Sequence, residues 1–169
     1  MLLRNAMPDD APAILALNQA FVAVLSPLDA VRLAHLAGQA ALYRVAEQEG
    51  RIAAFLLAMR EGADYDSPNY RWFAERYPRF LYVDRIVVAA EAQGRGVGEL
   101  LYGDALRHAA SGRVPLLTCE FDIAPPNPAS ARFHARLGFR EVGRQVLGAG
   151  KEVSLQARDV GDGSLSPAA

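Results

Sequence analysis

A glycine-rich turn behind an apolar strand is the feature that most constrains this chain. Residues 93–98 read Gln-Gly-Arg-Gly-Val-Gly and follow Phe80–Val88, an apolar run that predicts a buried strand. Apolar positions between Gly96 and Ser111 predict a helix directly after the turn. Glycine permits positive φ and lets the backbone approach a bound group closely. Because the turn opens a helix, its N–H groups and the helix N-terminus predict a site for a phosphate or a pyrophosphate.

The spacing of the glycines separates the possible phosphate-binding patterns. A dinucleotide-binding G-x-G-x-x-G sequence needs a glycine where Glu99 stands. A P-loop needs Gly-Lys-Ser or Gly-Lys-Thr, which does not follow this turn. The residues read Gln93-x-x-Gly96-x-Gly98 instead. The spacing therefore disfavours a dinucleotide-dependent oxidoreductase and a P-loop nucleotide site.

Composition limits the partners of this site. The chain has 169 residues, of which 51% are hydrophobic and 22% charged, as is typical of one globular domain. Its net charge of −1 provides no general attraction to nucleic acid or to an anionic membrane. Asp9 and Asp10 interrupt any signal-peptide pattern, and the longest apolar runs are far too short to span a membrane. We predict a cytoplasmic protein that binds neither nucleic acid nor membrane.

The cysteine and the histidines indicate no further chemistry. Cys119 is the only cysteine, so it cannot form an internal disulfide, and we interpret it as a core residue. The histidines at 35, 108 and 134 lack the spacing of metal ligands, and we predict no metal site. His35 lies on a predicted apolar helix face and is interpreted as a core or interface residue.

Periodicity and turn signals predict one mixed α/β domain over residues 1–160. Ser26-Pro27 indicates the start of a second helix that buries Leu28, Val31 and His35. The other predicted elements are a strand (2–7), a first helix with an apolar stripe (14–25), a hairpin (41–47 and 51–59), the strand and helix around the glycine turn, a strand (114–121), a helix (127–138) and a closing hairpin (139–147 and 151–157). Residues 161–169 are expected to form a disordered tail.

Residues 61–79 depart from this compact pattern and are rich in acids and aromatic rings. A short helix over 69–76 is predicted inside this excursion. Two interpretations stay open: the excursion faces a substrate, as long loops often do, or its rings simply pack it against the domain. Its acids would suit a cationic amine. Arginines that would equally suit a carboxylate are Arg71, Arg76, Arg79 and Arg85.

A second motif follows the predicted strand 114–121, and it reads Asn127-Pro-Ala-Ser130-Ala-Arg-Phe-His134-Ala-Arg-Leu137-Gly138-Phe139. In this order, the two motifs resemble the GNAT superfamily of N-acetyltransferases over nearly the whole chain, in particular its bacterial small-molecule type. The resemblance implies an α/β (α+β) GNAT fold. Such a fold has a central mixed, mostly antiparallel sheet of six to seven strands, splayed in the middle and flanked by about four helices.

The same resemblance implies acetyl-CoA as cosubstrate and direct attack of an amine on its thioester. Two central strands would separate so that the pantetheine arm pairs with backbone at Ile86, Val87 and Val88. The pyrophosphate would lie on the backbone N–H groups of Gln93, Gly94, Arg95, Gly96, Val97 and Gly98. Asn127, Ser130 and His134 are spaced i, i+3 and i+7, share one helical face, and are expected to turn towards the cofactor.

Several polar side chains are candidates for catalysis. The amine must lose a proton before attack, and the acidic candidates for the base or for substrate binding are Asp84, Glu120 and Asp122. Asp84 and Glu120 are favoured as active-site residues, followed by Tyr82. His134 stands where the family often has a tyrosine, and it is the candidate acid for the leaving thiolate. Alternatives stay open: Arg85 simply pairs with Asp84, His134 is an exposed helix residue, and Asn127 only caps its helix.

These observations predict an N-acetyltransferase that acts on the primary amine of a small molecule or amino-acid-like substrate. A catalytically silent acyl-CoA sensor with the same fold is the alternative, because His134 replaces the usual tyrosine. By resemblance, a homodimer is plausible.

Overall fold

The computed structural model describes residues 1–161, and this part of the chain has seven strands and five α-helices. The strands are β1 (Leu2–Asn5), β2 (Leu42–Gln48), β3 (Arg51–Arg60), β4 (Leu81–Val88), β5 (Leu116–Ala124), β6 (Arg140–Val146) and β7 (Glu152–Asp159). The helices are α1 (Ala11–Ala20), α2 (Ala30–Gln39), α3 (Pro68–Ala74), α4 (Val97–Ser111) and α5 (Pro128–Arg136).

The strands form one sheet in the order β1-β2-β3-β4-β5-β7-β6. Strands β4 and β5 are parallel, with Leu81 opposite Leu117 and Tyr82 opposite Thr118. The β1–β2, β2–β3, β5–β7 and β6–β7 pairs are antiparallel. The prediction of a mixed, mostly antiparallel sheet is therefore confirmed, and the described helices number five rather than about four.

The chain divides into two compact units. The first contains Met1–Met59 and Val83–Ala105, and the second contains Arg60–Tyr82 and the chain from Leu106 onward. The single domain over 1–160 stays a prediction. Apart from Gly161, the expected tail at 161–169 lies outside the described residues.

The start and the buried face of helix α2, in the first unit, differ from their predictions. The helix begins at Ala30 rather than beside Pro27, because the Asp29 carboxylate accepts the Arg32 N–H at 2.7 Å and caps the first turn. Its buried face consists of Leu33 and Leu36. The side chain of Val31 is 82% exposed and His35 is also exposed, so the predicted buried face is wrong.

The excursion forms an aromatic cluster in the second unit. The Tyr70 ring stacks on Tyr65 at 5.5 Å and meets the Tyr82 ring edge-on at 5.6 Å. The Tyr70 hydroxyl donates to the Arg60 carbonyl at 2.7 Å and accepts the Ala63 N–H at 2.9 Å. These ring contacts pack residues of the excursion against one another and against Tyr82. Helix α3 begins at Pro68 and is capped by Ser67.

Candidate active site

The glycine turn is built by short-range backbone bonds at the end of β4. The Ala92 N–H donates to the Ala89 carbonyl at 2.9 Å, and the Gln93 side-chain amide donates to the Val88 carbonyl at 3.0 Å. Gly94 and Gly96 have φ of +72° and +78°, which other residues adopt at a cost. Gln93 thus closes the turn with its side chain, and the two glycines supply its curvature.

Helix α4 starts directly on this turn. The Leu100 N–H donates to the Gly96 carbonyl at 2.9 Å, so the amides of Val97, Gly98 and Glu99 precede the first helical bond. Val97 is buried, whereas residues 93–96 are exposed. A Cβ added at Gly94 or Gly96 would meet nothing within 4 Å. An open turn at a helix N-terminus, with the exposed Arg95, fits a diphosphate.

The strand before the turn alternates between core and surface. Val87 is buried, and Ile86 and Val88 are half-buried. Directly after the strand, the Ala89 N–H donates to the Ala53 carbonyl at 2.8 Å. The end of β4 therefore rests on β3 within the first unit.

Asp84 belongs to a buried ionic network of the first unit. Its carboxylate accepts the Arg85 Nε–H at 3.0 Å, and both side chains are only 6% exposed. Arg85 Nη1 also donates to Asn18 Oδ1 and to the Ser26 carbonyl, each at 2.8 Å. Of the alternatives left open by the sequence, Arg85 as the partner of Asp84 is confirmed.

Glu120 lies in a different environment, in the second unit. The Tyr82 hydroxyl donates to Glu120 Oε1 at 2.9 Å, and Glu120 is half-buried. Asp122, two residues on along β5, is on the same face of the strand and contacts the Lys151 ammonium at 3.3 Å. Lys151 is not among the candidates predicted from the sequence, although it is the only lysine of the chain and directly follows a Gly-Ala-Gly turn.

The polar residues of α5 come together, also in the second unit. Asn127 Oδ1 accepts the Ser130 N–H at 3.2 Å, so Asn127 is the cap of this helix. His134 is 4% exposed and stacks on Phe121 at 5.5 Å, so it is not an exposed helix residue. Its Nδ1 lies 2.8 Å from the Ser130 carbonyl, and since a carbonyl only accepts, Nδ1 carries the proton. Burial lowers the pKa of His134, which keeps the ring neutral.

The candidate residues therefore fall into groups. The turn, the end of β4 and the Asp84–Arg85 pair lie in the first unit. Glu120 with Tyr82, and Asn127 with Ser130 and His134, lie in the second. Within residues 1–161, no group of three or more His, Cys, Asp or Glu side chains is arranged to hold a metal ion. Nor does any helix in that part of the chain have the length and apolarity needed to cross a membrane.

Comparison with known proteins identifies the family. The profile of the Acetyltransferase (GNAT) family matches residues 14–139, a stretch that includes β4, the glycine turn and α5. The chain belongs to the GNAT family of acetyltransferases. It is accordingly an acyltransferase, and the family generally takes its acetyl group from acetyl-CoA and acts on amines.

The proteins to which this GNAT acetyltransferase is similar have several different named activities. It is 48% identical over 58 residues to phosphinothricin N-acetyltransferase of Streptomyces coelicolor, a match that covers 34% of this chain and about a third of the relative (33%). The ribosomal-protein-alanine N-acetyltransferase of Brucella melitensis has a TM-score of 0.70 at 23% identity, over 94% of this chain and 99% of that one. Chaetomium thermophilum Naa20, solved with a bisubstrate analogue, has a TM-score of 0.75 at 16% identity, over 96% and 88% of the two chains. At these identities the two structures show a shared fold.

Proposed function

We propose that this GNAT acetyltransferase transfers the acetyl group of acetyl-CoA to the primary amine of a small molecule, with Glu120 as the base. The observation on which the proposal rests is the contrast between the two candidate carboxylates. Asp84 is buried and ion-paired with Arg85 at 3.0 Å, whereas Glu120 is half-buried and held by a neutral hydroxyl at 2.9 Å. The Arg85 guanidinium compensates the charge of Asp84, which lowers the affinity of that carboxylate for a further ammonium group.

The glycine turn supports the choice of donor. Its open outer side, its amides at the start of α4 and the exposed Arg95 suit the pyrophosphate of acetyl-CoA. We assign pyrophosphate binding to residues 93–98 and pantetheine binding to backbone groups of residues 86–88. Bound acetyl-CoA supplies the thioester carbonyl that the amine attacks.

Glu120 is assigned the removal of a proton from the acceptor amine. An ammonium group cannot attack a carbonyl, so one proton must leave the nitrogen before the N–C bond forms. The Tyr82 hydroxyl donates a hydrogen bond to Glu120 Oε1 and thereby fixes the orientation of the carboxylate. Tyr82 is therefore a positioning residue in this proposal.

Helix α5 enters the proposal with a smaller role. Asn127, Ser130 and His134 were expected to turn towards the cofactor, and an acid role for His134 stays a prediction. The bond from Nδ1 to the Ser130 carbonyl and the stacking on Phe121 favour a packing role, because a neutral buried imidazole is a poor proton donor. A homodimer likewise stays a prediction.

The small-molecule acceptor is supported by the relative named for phosphinothricin. The structural neighbour named for ribosomal-protein alanine is only 23% identical, so its likeness concerns the fold and not the acceptor. Phosphinothricin and a library of primary amines are therefore the first acceptors to test, with release of free CoA as the readout.

Three carboxamide variants test the assignment of the base. Glu120→Gln is expected to lower kcat by about 10²- to 10⁴-fold, since it removes a general base and preserves shape. Acetyl-CoA affinity, measured by calorimetry, should be unchanged in this variant. Glu75→Gln, at an exposed helix end, is the matched control and should behave as wild type.

Unchanged kcat in Glu120→Gln would refute the assignment, and acetyl-CoA binding without turnover of any amine would favour the silent sensor. Asp84→Asn is expected to lower stability more than kcat measured on the folded fraction.

A further inference from the structure

Lys151 is the only lysine of the chain and lies just before β7. Its ammonium contacts Asp122 Oδ1 at 3.3 Å. The Lys151 side chain is 36% exposed, whereas that of Asp122 is 10% exposed. The part of this ion pair that faces outward is therefore the cation.

Lys151 and Glu120 lie on the same face of the sheet. Side chains alternate along a strand, so Glu120 and Asp122 project from one face of β5. Asp122 is opposite Val153 in the β5–β7 register, and Lys151 is two residues before Val153. The contact between Lys151 and Asp122 agrees with this placement. One face of the second unit thus carries a carboxylate at Glu120 and a cation at Lys151.

We infer that Lys151 binds the carboxylate of an amino-acid-type acceptor whose amino group is bound by Glu120. This inference rests on the proposed function and specifies its substrate class as α-amino acids. Lys151 is then a specificity-determining residue.

An α-amino acid is long enough to bridge groups carried by alternate residues of a strand. Its nitrogen and carboxylate carbon are two bonds apart, about 2.5 Å. With a charge-assisted hydrogen bond of about 2.8 Å at each end, it bridges groups about 8 Å apart. Alternate residues of a strand, such as Glu120 and Asp122, are about 6.8 Å apart, and Lys151 contacts Asp122. A lysine has three donors, so the bond to Asp122 leaves two for a ligand carboxylate.

Three of the four arginines that the sequence suggested for a carboxylate have other contacts. Arg85 is buried with Asp84, Asn18 and Ser26 in the first unit. The Arg76 guanidinium stacks 4.0 Å from the Trp72 ring, and Arg79 donates to the Gly112 carbonyl at 3.1 Å. The Lys151 ammonium, by contrast, lies beside the Asp122 carboxylate of β5.

Matched pairs of acceptors test this inference by kinetics. L-methionine is compared with 3-(methylthio)propylamine, and L-phenylalanine with 2-phenylethylamine, at saturating acetyl-CoA. Lys151→Met is expected to lower kcat/KM about tenfold or more for the amino acids, through KM, since a charge-assisted hydrogen bond is lost. The amines without a carboxylate should be unaffected, and Lys151→Arg should restore most of the loss. Arg140→Met, which removes an exposed ion pair with Asp159 on the same hairpin, is the control and should change neither class.

A spectroscopic measurement reads the same contact without turnover. Reductive ¹³C-methylation keeps the charge of Lys151 and yields one lysine resonance, assigned by its loss in Lys151→Arg. Titration with L-methionine should shift this resonance, and 3-(methylthio)propylamine should not. A shift specific to the amino acid without turnover supports the inference and refutes the proposed function. The opposite outcome is turnover in which Lys151→Met affects both acceptor classes equally and the resonance shows no shift specific to the amino acid. That outcome overturns the inference and leaves the proposed function standing.

Discussion

The buried Asp84–Arg85 pair makes a quantitative prediction about stability. Arg85→Met removes a cation that lies 3.0 Å from Asp84 and donates to two further acceptors, Asn18 Oδ1 and the Ser26 carbonyl. Because both charged side chains are only 6% exposed, water cannot replace the lost bonds at full strength. Breaking a buried pair by removing one partner costs about 3–5 kcal/mol. We therefore expect Arg85→Met to lower the free energy of unfolding by about 4 kcal/mol.

Urea unfolding followed by circular dichroism measures this loss. With an m-value of about 2 kcal/mol per M, the midpoint should fall by about 2 M. The double variant Asp84→Leu/Arg85→Met is the control, because apolar replacement of both partners of a buried pair is often neutral or stabilising. It should recover most of the loss. A midpoint change below about 0.5 M in Arg85→Met, or a double variant less stable than the single one, would refute the reasoning.

Three further predictions concern His134, Gly96 and Gly143. The pKa of the buried His134 is lowered, so the unfolded chain takes up the proton first, and stability should fall below about pH 6.5 by up to about 1.4 kcal/mol per pH unit. Thermal unfolding between pH 7.5 and 5.5 should show this slope, and His134→Phe should flatten it. Gly96→Ala places alanine at φ +78° without a clash and should cost about 1–2 kcal/mol, with weaker acetyl-CoA binding by calorimetry. Gly50→Ala, at φ +75° and equally open, should have the same cost with unchanged binding. A Cβ at Gly143 would lie 2.4 Å from Trp72 Cζ2, so Gly143→Ala should cost about 1–3 kcal/mol in urea unfolding, and Trp72→Phe should relieve part of it.

Local sequence signals predicted the part of the site that depends on backbone. The glycine turn occurs where its spacing predicted it, between β4 and α4, because glycine alone adopts two positive φ values so close together at low cost. The hairpin turns and the Asn127 helix cap were also predictable from local sequence. Their conformations are set by a few adjacent residues.

The face of α2 shows where such signals fail. Leu33 and Leu36, rather than Val31 and His35, are buried, although both pairs have helical spacing. A short helix with apolar residues on several sides can bury more than one of them, and the partner surface decides which.

The sequence by itself determined the family, the strand–turn–helix unit and the short list of candidate carboxylates. Only the tertiary structure decided that Asp84 is neutralised by Arg85, that Glu120 is held by Tyr82, that His134 is buried, and that Lys151 pairs with Asp122. Turn chemistry acts between neighbours along the chain. The partner and the burial of an ionisable side chain depend on strand register and on the packing of distant segments, which no local pattern specifies.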